Sequence, residues 1–443
     1  MTIPTDRHRS PAEETLDAIT ADSGEQSLSL PGTFALWLGA NVVVTTILTG
    51  MLLVPALDFA TAMMIVASGS ALGILPLVLI GVMGQRTGLT TMVLARATFG
   101  RIGAGVPAWV NLLALIAWSW IQARLAGMSL DYAISELTGY SNLALFTVIC
   151  EALVVLVVLG GHRGIERVEK IAAVLMLVLA LIVAWALGSH YDMANLLSAP
   201  AQGGISLSGA FDIVIATAFS WIPLAADYNR HCRSTRVAAL GTWSGYVSAT
   251  LIAMGLGGAV SGLAMALGRE PTYDPTQLLS GFGFGLPAAM VIFFSVLTTN
   301  VMCVYSATLS YMSTRSRSGF RRPALIIGVL TVLGAMIPGI LEEFQTFLLI
   351  IGSVFIPAFS LMIVDYYLLG EQGLRYSTKC LLQTDQLPAI NPVALLAYLL
   401  GATLAYYWNW VSPLAMGASL PVFVVTGLLY WIGMSISGRR KAI

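Results

Sequence analysis

Phe219-Ser220-Trp221-Ile222-Pro223 lies inside an apolar run near residues 209 to 226, and its reading decides the fold. Proline brings no N–H to a helix ladder and its ring clashes with the carbonyl four residues back, so a helix here is expected to kink or unwind around Phe219 to Trp221. A second weak point, Gly39-Ala40-Asn41 followed by Thr45, Thr46 and Gly50, falls in the middle of a run near 34 to 56. These are the first and sixth apolar runs of the chain. A separation of five, with an odd number of crossings in each half, is what two inverted repeats require, and such folds place their binding site at paired discontinuous helices. Gly and Pro are also frequent in membrane helices generally. The break pattern alone is compatible with either reading.

Working outward, runs long enough to cross a bilayer, about 20 residues each, lie near 34 to 56, 60 to 83, 105 to 136, 143 to 160, 168 to 188, 209 to 226, 238 to 267, 286 to 309, 323 to 340, 345 to 369, 391 to 408 and 416 to 436. The sequence thus predicts an all-α polytopic membrane protein of twelve spans. Residues 1–30 form a polar cytoplasmic tail, 31–190 and 191–370 the two repeats, and 371–443 two appended helices and the C-terminus. Charge fixes the orientation. With the N-terminus in the cytoplasm, 20 of the 22 Lys and Arg side chains fall on the cytoplasmic side, only Arg269 falls outside, and only Arg124 lies within a span. Positive charge resists translocation, so both termini are expected in the cytoplasm, with the protein in the cell's inner (plasma) membrane.

Composition excludes most other classes. A mean hydropathy of +0.83 with 57% hydrophobic and 10% charged residues does not fit a soluble domain. The polar start lacks a basic segment leading into an apolar core, so span one is expected to be the first insertion signal. Cys150, Cys232, Cys303 and Cys380 are scattered, as are His8, His162, His190 and His231, and no Walker loop, His-Glu-x-x-His or Gly-x-Ser-x-Gly occurs. An ATP-driven machine or a soluble-type enzyme has no foothold. A secondary transporter is the leading class, ahead of a channel or an intramembrane enzyme.

Trp118 and Gln122 stand at i and i+4 in span three, hence on one helix face. An indole can stack on a planar ring while a carboxamide, one acceptor and two donors, reads its N–H and C=O edge. The alternative is a packing Trp and an interhelical Gln bond.

Several stretches together carry a family resemblance: Leu36-Trp37-Leu38-Gly39-Ala40; Thr87-Gly88-Leu89 with Ala95-Arg96 and Phe99-Gly100; Trp118-x-x-x-Gln122 with Asp131; Ala226-Asp227-Tyr228-x-Arg230-x-Cys232; Thr298-Thr299-Asn300; and Asp365-Tyr366-Tyr367. In that order the chain resembles the nucleobase-cation-symport-1 family, which includes hydantoin, cytosine, allantoin and hydroxymethylpyrimidine permeases. The resemblance implies a ten-helix core of two inverted repeats, five helices each, with two helices outside it. It implies that Trp118 and Gln122 contact the heterocycle, with Trp221 as a second stacking residue beside Ser220, or Phe219 in its place. It sets Val43 and Val304 where the hydantoin permease offers Gln and Asn, implying a drier pocket poorly suited to hydantoin. Ile47-Leu48-Thr49-Gly50 looks similar to the hydroxymethylpyrimidine branch, and Asn300 with Tyr305-Ser306-Ala307 to cytosine permeases, so a pyrimidine-type ligand is favoured over purine or thiamine.

The resemblance also implies a sodium site. The hydroxyls of Thr298 and Thr299, a carbonyl at Ser295 and carbonyls at Gly39 and Val42 would surround the ion. Alternatively the threonines bond only their own backbone, and a proton serves as coupling ion. Arg124 points about 200° away from Gln122 around the helix and is expected to pair with Glu151, Asp131 or Asp212. No cofactor other than the coupling ion is expected, and no nucleic-acid or obligate protein partner. The lipid bilayer and a small heterocycle complete the set.

Overall fold

The computed structural model describes residues 16–21, 26–161, 193–266, 285–315, 319–341, 344–369, 375–383 and 386–437, with scattered positions from 165 to 189. Span five and the basic residues at 163, 167 and 170 lie largely outside the described residues. Among those described there is no strand, only two isolated bridges, and the chain is a bundle of apolar helices. Among the described residues, seven helices are long and apolar enough to cross a membrane, eight with one bent pair. That supports a polytopic bundle but falls short of the twelve spans expected. Helices do occupy the places of spans four, nine and eleven, at Leu143–Leu159, Arg321–Ala335 and Pro392–Tyr406. At 17, 15 and 15 residues they are shorter than the 20 or so that a bilayer asks of a straight helix.

Span one breaks as expected, although about one residue later. Helix Leu30–Asn41 ends and Val44–Leu53 begins at an angle of 63° to it. Between them Val42 has ψ 71° and Val43 is extended at φ −127°, ψ 156°. The run Val42-Val43-Val44 suits this, since β-branched side chains crowd a helix and favour extended backbone. Span six is also interrupted where expected, at Ser220 to Trp221, but by tightening. Instead of unwinding, Leu207–Ser220 tightens into a 3-10 turn at Ile222–Leu224 and continues as Ala225–Asn229. Pro223 sits in the first turn of that short element, where a missing N–H costs nothing. The Trp221 N–H still reaches the Ala218 carbonyl at 3.2 Å.

Span one is held tightly against span seven (Thr235–Ala266). A Cβ on Gly50 would collide with the Met254 backbone, and one on Gly257 with the Ile47 carbonyl. Small residues at these two crossings let the backbones meet, which is how helices associate in lipid. The broken helix is thereby fixed on one side.

The N-terminal segment is not a free tail throughout. Ile19, Ala21 and Leu28 are buried. The Ala21 N–H donates to the Gly88 carbonyl at 2.7 Å, and the Leu28 N–H to the His231 carbonyl at 2.9 Å. The buried Arg230 guanidinium donates to the Ala18 carbonyl at 2.7 Å. Gln26 Nε2 donates to the carbonyls of Gln85 and Arg230 at 2.8 and 3.1 Å. Residues 16–21 and 26–28 therefore lie across the ends of spans two and six.

A second polar node ties the appended helices to the core. Asp365 accepts from Tyr430 at 2.7 Å and Tyr376 at 2.8 Å and pairs with Arg375 at 3.6 Å. Asn391, which caps the eleventh-span helix, donates to the Thr98 carbonyl at 2.8 Å. Burial holds the Tyr376 phenol well above its ordinary value, so it stays a donor.

Candidate functional site

Four helices converge on one cavity. The second half of span one gives Thr45, Thr46 and Thr49; span three (Gly105–Thr138) gives Leu115, Trp118 and Gln122; span six gives Thr217, Ser220, Trp221 and Leu224; span eight (Gly285–Thr314) gives Thr299 and Cys303. Trp118 meets Phe347 edge-on at 5.2 Å, and Trp221 meets Trp37 edge-on at 6.3 Å. Both indoles are thus braced from behind by another ring.

The hydrogen bonds already made determine what the cavity offers. Thr49 Oγ1 donates to the Thr45 carbonyl at 2.9 Å, Thr217 Oγ1 to Val214 at 2.6 Å, and Ser220 Oγ to Thr217 at 2.7 Å. Thr46 Oγ1 donates to Asn41 Oδ1 at 3.2 Å. With their protons committed, these hydroxyls retain lone pairs as acceptors. Gln122 is 1% exposed and its Oε1 is a buried acceptor without a partner. An unpaired buried acceptor costs about 1 to 3 kcal/mol until a donor arrives. The wall is apolar at its rings, rich in acceptors elsewhere, and suited to a flat ligand bearing N–H groups.

Of the residues expected from the sequence, Trp118, Gln122, Ser220 and Trp221 line this cavity, while Phe219, Val43, Asn300 and Val304 do not. Phe219 packs on Phe423 at 5.6 Å. Val43 is buried with Ile121, Leu125 and Val296. Asn300 Nδ2 donates to Glu151 Oε2 at 2.7 Å, and Val304 is fully buried in the main core. In a helix each residue is turned about 100° from the last. Asn300, Val304 and Phe219 are each one position from a lining residue and so face elsewhere. The dry pocket inferred from Val43 and Val304 gives way to a hydroxyl-rich wall, and the argument against hydantoin goes with it. The sequence reading missed Thr45, Thr46, Thr49, Thr217 and Cys303. The i, i+4 pairs Thr45/Thr49 and Thr299/Cys303 were the available signal.

Beside the cavity, span eight reaches the carbonyls freed by the span-one break. Ser295 Oγ donates to the Val42 carbonyl at 2.9 Å, Thr298 Oγ1 to the Ser295 carbonyl at 2.9 Å, and Thr299 Oγ1 to the Ala40 carbonyl at 3.4 Å. All three side chains are at most 2% exposed. The span-one carbonyls these hydroxyls meet are those of Val42, one of the two expected beside the ion with Gly39, and Ala40. Hydroxyl and carbonyl oxygens can replace a small hard cation's hydration shell. Among the described residues no cluster of His, Cys, Asp or Glu could hold a metal.

Arg124 is half-buried, and its expected partners are engaged elsewhere. Asp131 binds Ser141 and Asn142, Asp212 caps Ala418 and Ser419, and Glu151 holds Asn300.

Broken and tightened helices around a buried acceptor-rich cavity define a polytopic permease rather than an enzyme. Residues 25–433 match the family described as permease for cytosine/purines, uracil, thiamine, allantoin. The chain is 25% identical to the purine-cytosine permease fcyB of Emericella nidulans, over 88% of this chain and 78% of that one. It is 23% identical to the cytosine permease of Escherichia coli K12, over 79% and 80%. Among solved structures it is similar to Mhp1, a nucleobase-cation-symport-1 family transporter in a closed conformation with bromovinylhydantoin bound, at a TM-score of 0.81 and 19% identity over 95% of each chain. The chain belongs to the nucleobase-cation-symport-1 family of membrane permeases.

Proposed function

We propose that the protein imports a nucleobase-like heterocycle by cation symport, with a pyrimidine such as cytosine or hydroxymethylpyrimidine as substrate and sodium as coupling ion. The observation that carries this reading is the single cavity in which two braced indoles, an unpartnered Gln122 Oε1 and proton-committed hydroxyls face one space. Stacking on an aromatic side chain contributes about 1 to 3 kcal/mol per base in nucleic-acid sites. N–H groups on the ring then supply donors to acceptors that otherwise go unpaired. Purine, thiamine, allantoin and hydantoin present related flat edges and are the competing substrates.

Sodium is assigned to the oxygens of Ala40, Val42, Ser295, Thr298 and Thr299, with Thr299 shared between this cluster and the cavity wall. Ion and ring would thus bind to opposite sides of one side chain. Both termini are placed in the cytoplasm, on the charge asymmetry.

Uptake of labelled cytosine, hypoxanthine and hydantoin into proteoliposomes, under a sodium gradient or a pH gradient alone, tests the reading. Saturable cytosine uptake that needs sodium is expected. Uptake driven equally well by a pH gradient without sodium overturns the ion assignment, and preference for hypoxanthine or hydantoin overturns the substrate.

A further inference from the structure

The contact between spans four, eight and nine contains a polar pair that the cavity does not use. Glu151, on Leu143–Leu159, is 2% exposed, and its Oε2 accepts from Asn300 Nδ2 at 2.7 Å. The remaining oxygen of each group, Glu151 Oε1 and Asn300 Oδ1, is buried without a hydrogen-bond partner. On the span-nine helix, Arg321–Ala335, the residue facing Oε1 is Gly328, where an added Cβ would lie 3.7 Å from that oxygen. Nothing polar meets it there.

Both orphaned atoms are acceptors, and one proton answers both. Bound to Glu151 Oε1, it makes the carboxyl a donor, so that acid and carboxamide can exchange an O–H and an N–H bond. An ionised carboxylate would instead keep its charge inside the bundle with a single N–H to stabilise it, and isolated buried charges neutralise rather than persist.

No cation offsets such a charge among the described neighbours. Span eight contains no acidic or basic residue, and its titratable groups are Cys303, Tyr305 and Tyr311. Arg321 and Arg322 stand at the start of span nine, almost two turns from Gly328. On span three Arg124 forms no ion pair with Glu151, Asp131 is engaged with Ser141, and Tyr132 and Glu136 lie further along. Cys150 is the titratable neighbour on the same helix.

We propose that Glu151 is a proton-binding site, positioned by Asn300, and that transport requires the proton to be there. The site is independent of the cation at Thr298 and Thr299, because Asn300 leaves span eight about 100° around the helix from Thr299.

Infrared spectroscopy of the reconstituted protein carrying carbon-13 glutamate tests this without any ligand. A labelled protonated-carboxyl stretch is expected at neutral pH, fading as pH rises and missing from Glu151→Gln. Should that variant not fold, Glu151→Asp removes the labelled carboxyl while keeping an acid. Exchange of labelled cytosine should fall with rising pH in the wild type and lose that dependence in Glu151→Gln, which keeps a neutral donor. Absence of the band in wild type, its persistence in the variants, or an unchanged pH profile in Glu151→Gln overturns the proposal. If neither protein carries cytosine, the substrate reading fails while the infrared result still decides the proton site.

Discussion

Ser295 Oγ donates to the Val42 carbonyl at 2.9 Å, so span eight is fastened to the backbone that span one exposes where its helix stops. A residue three positions further on, Thr45, already lines the cavity. The proposed cation cluster and the cavity wall are built on the same few residues of chain.

The hydroxyl of Thr299 is the part of this arrangement that can be removed with least disturbance. Thr299→Val keeps the shape and deletes one oxygen. Sodium should raise the affinity for substrate in the wild type, substrate should raise that for sodium by the same factor, and the variant should show neither effect. Equilibrium binding with and without sodium measures both. One charge crossing 100 mV supplies about 2.3 kcal/mol, enough to concentrate a neutral substrate roughly 50-fold, so the variant should also lose accumulation.

Gln122→Ala removes the buried unpartnered acceptor together with its amide donors. Binding should weaken by about 1 to 3 kcal/mol, with the melting temperature unchanged or slightly raised because an orphaned polar group is gone. Trp118→Ala should be at least as harmful to binding. Unchanged affinity in both folded variants would place the substrate elsewhere.

Cys303 is the cysteine that lines the cavity. Saturating cytosine should slow its alkylation by a small thiol reagent, read by mass spectrometry, and leave Cys150, Cys232 and Cys380 unaffected. Cys232 makes a suitable internal control, since burial pushes its thiol up to about 12 and keeps it in the unreactive form.

Asp365→Asn strips the carboxylate from the node formed with Tyr430, Tyr376 and Arg375. Removing the carboxylate that faces the buried Arg375 guanidinium should cost about 3 to 5 kcal/mol, seen as a lower unfolding temperature in detergent. Arg375→Met in the same background should restore part of the loss.

How far the sequence could be read depends on what each inference required. The bundle, the charge asymmetry and the weak point in span one needed only hydropathy and local stereochemistry, and the helix stops within about a residue of Asn41. Trp118 and Gln122 needed only the i, i+4 rule. Val304 and Asn300 required helix phase to better than one residue, which a distant resemblance does not deliver, and a 100° error turned each away from the cavity. Pro223 required tertiary context. The backbone could absorb it as the start of a 3-10 turn, an outcome that proline's missing N–H permits as readily as a break. Glu151 and Asn300 meet across 149 positions, a pairing no local pattern signals.

Residues 16–21 and 26–28 work as a clasp. Ala21 is stitched to Gly88 at the end of span two, and Leu28 to His231 after span six, so the seam joins the ends of two spans. Spans two and six pack directly on each other, Gly84 against Ala226 and Gly81 against Asn229, and any step that parts their ends must open this seam as well, because two backbone hydrogen bonds cannot follow anchors that separate. The amides of Ala21 and Leu28 are therefore a built-in gauge of that parting: their hydrogen–deuterium exchange should quicken when the two helix ends separate, and slow when they are held together.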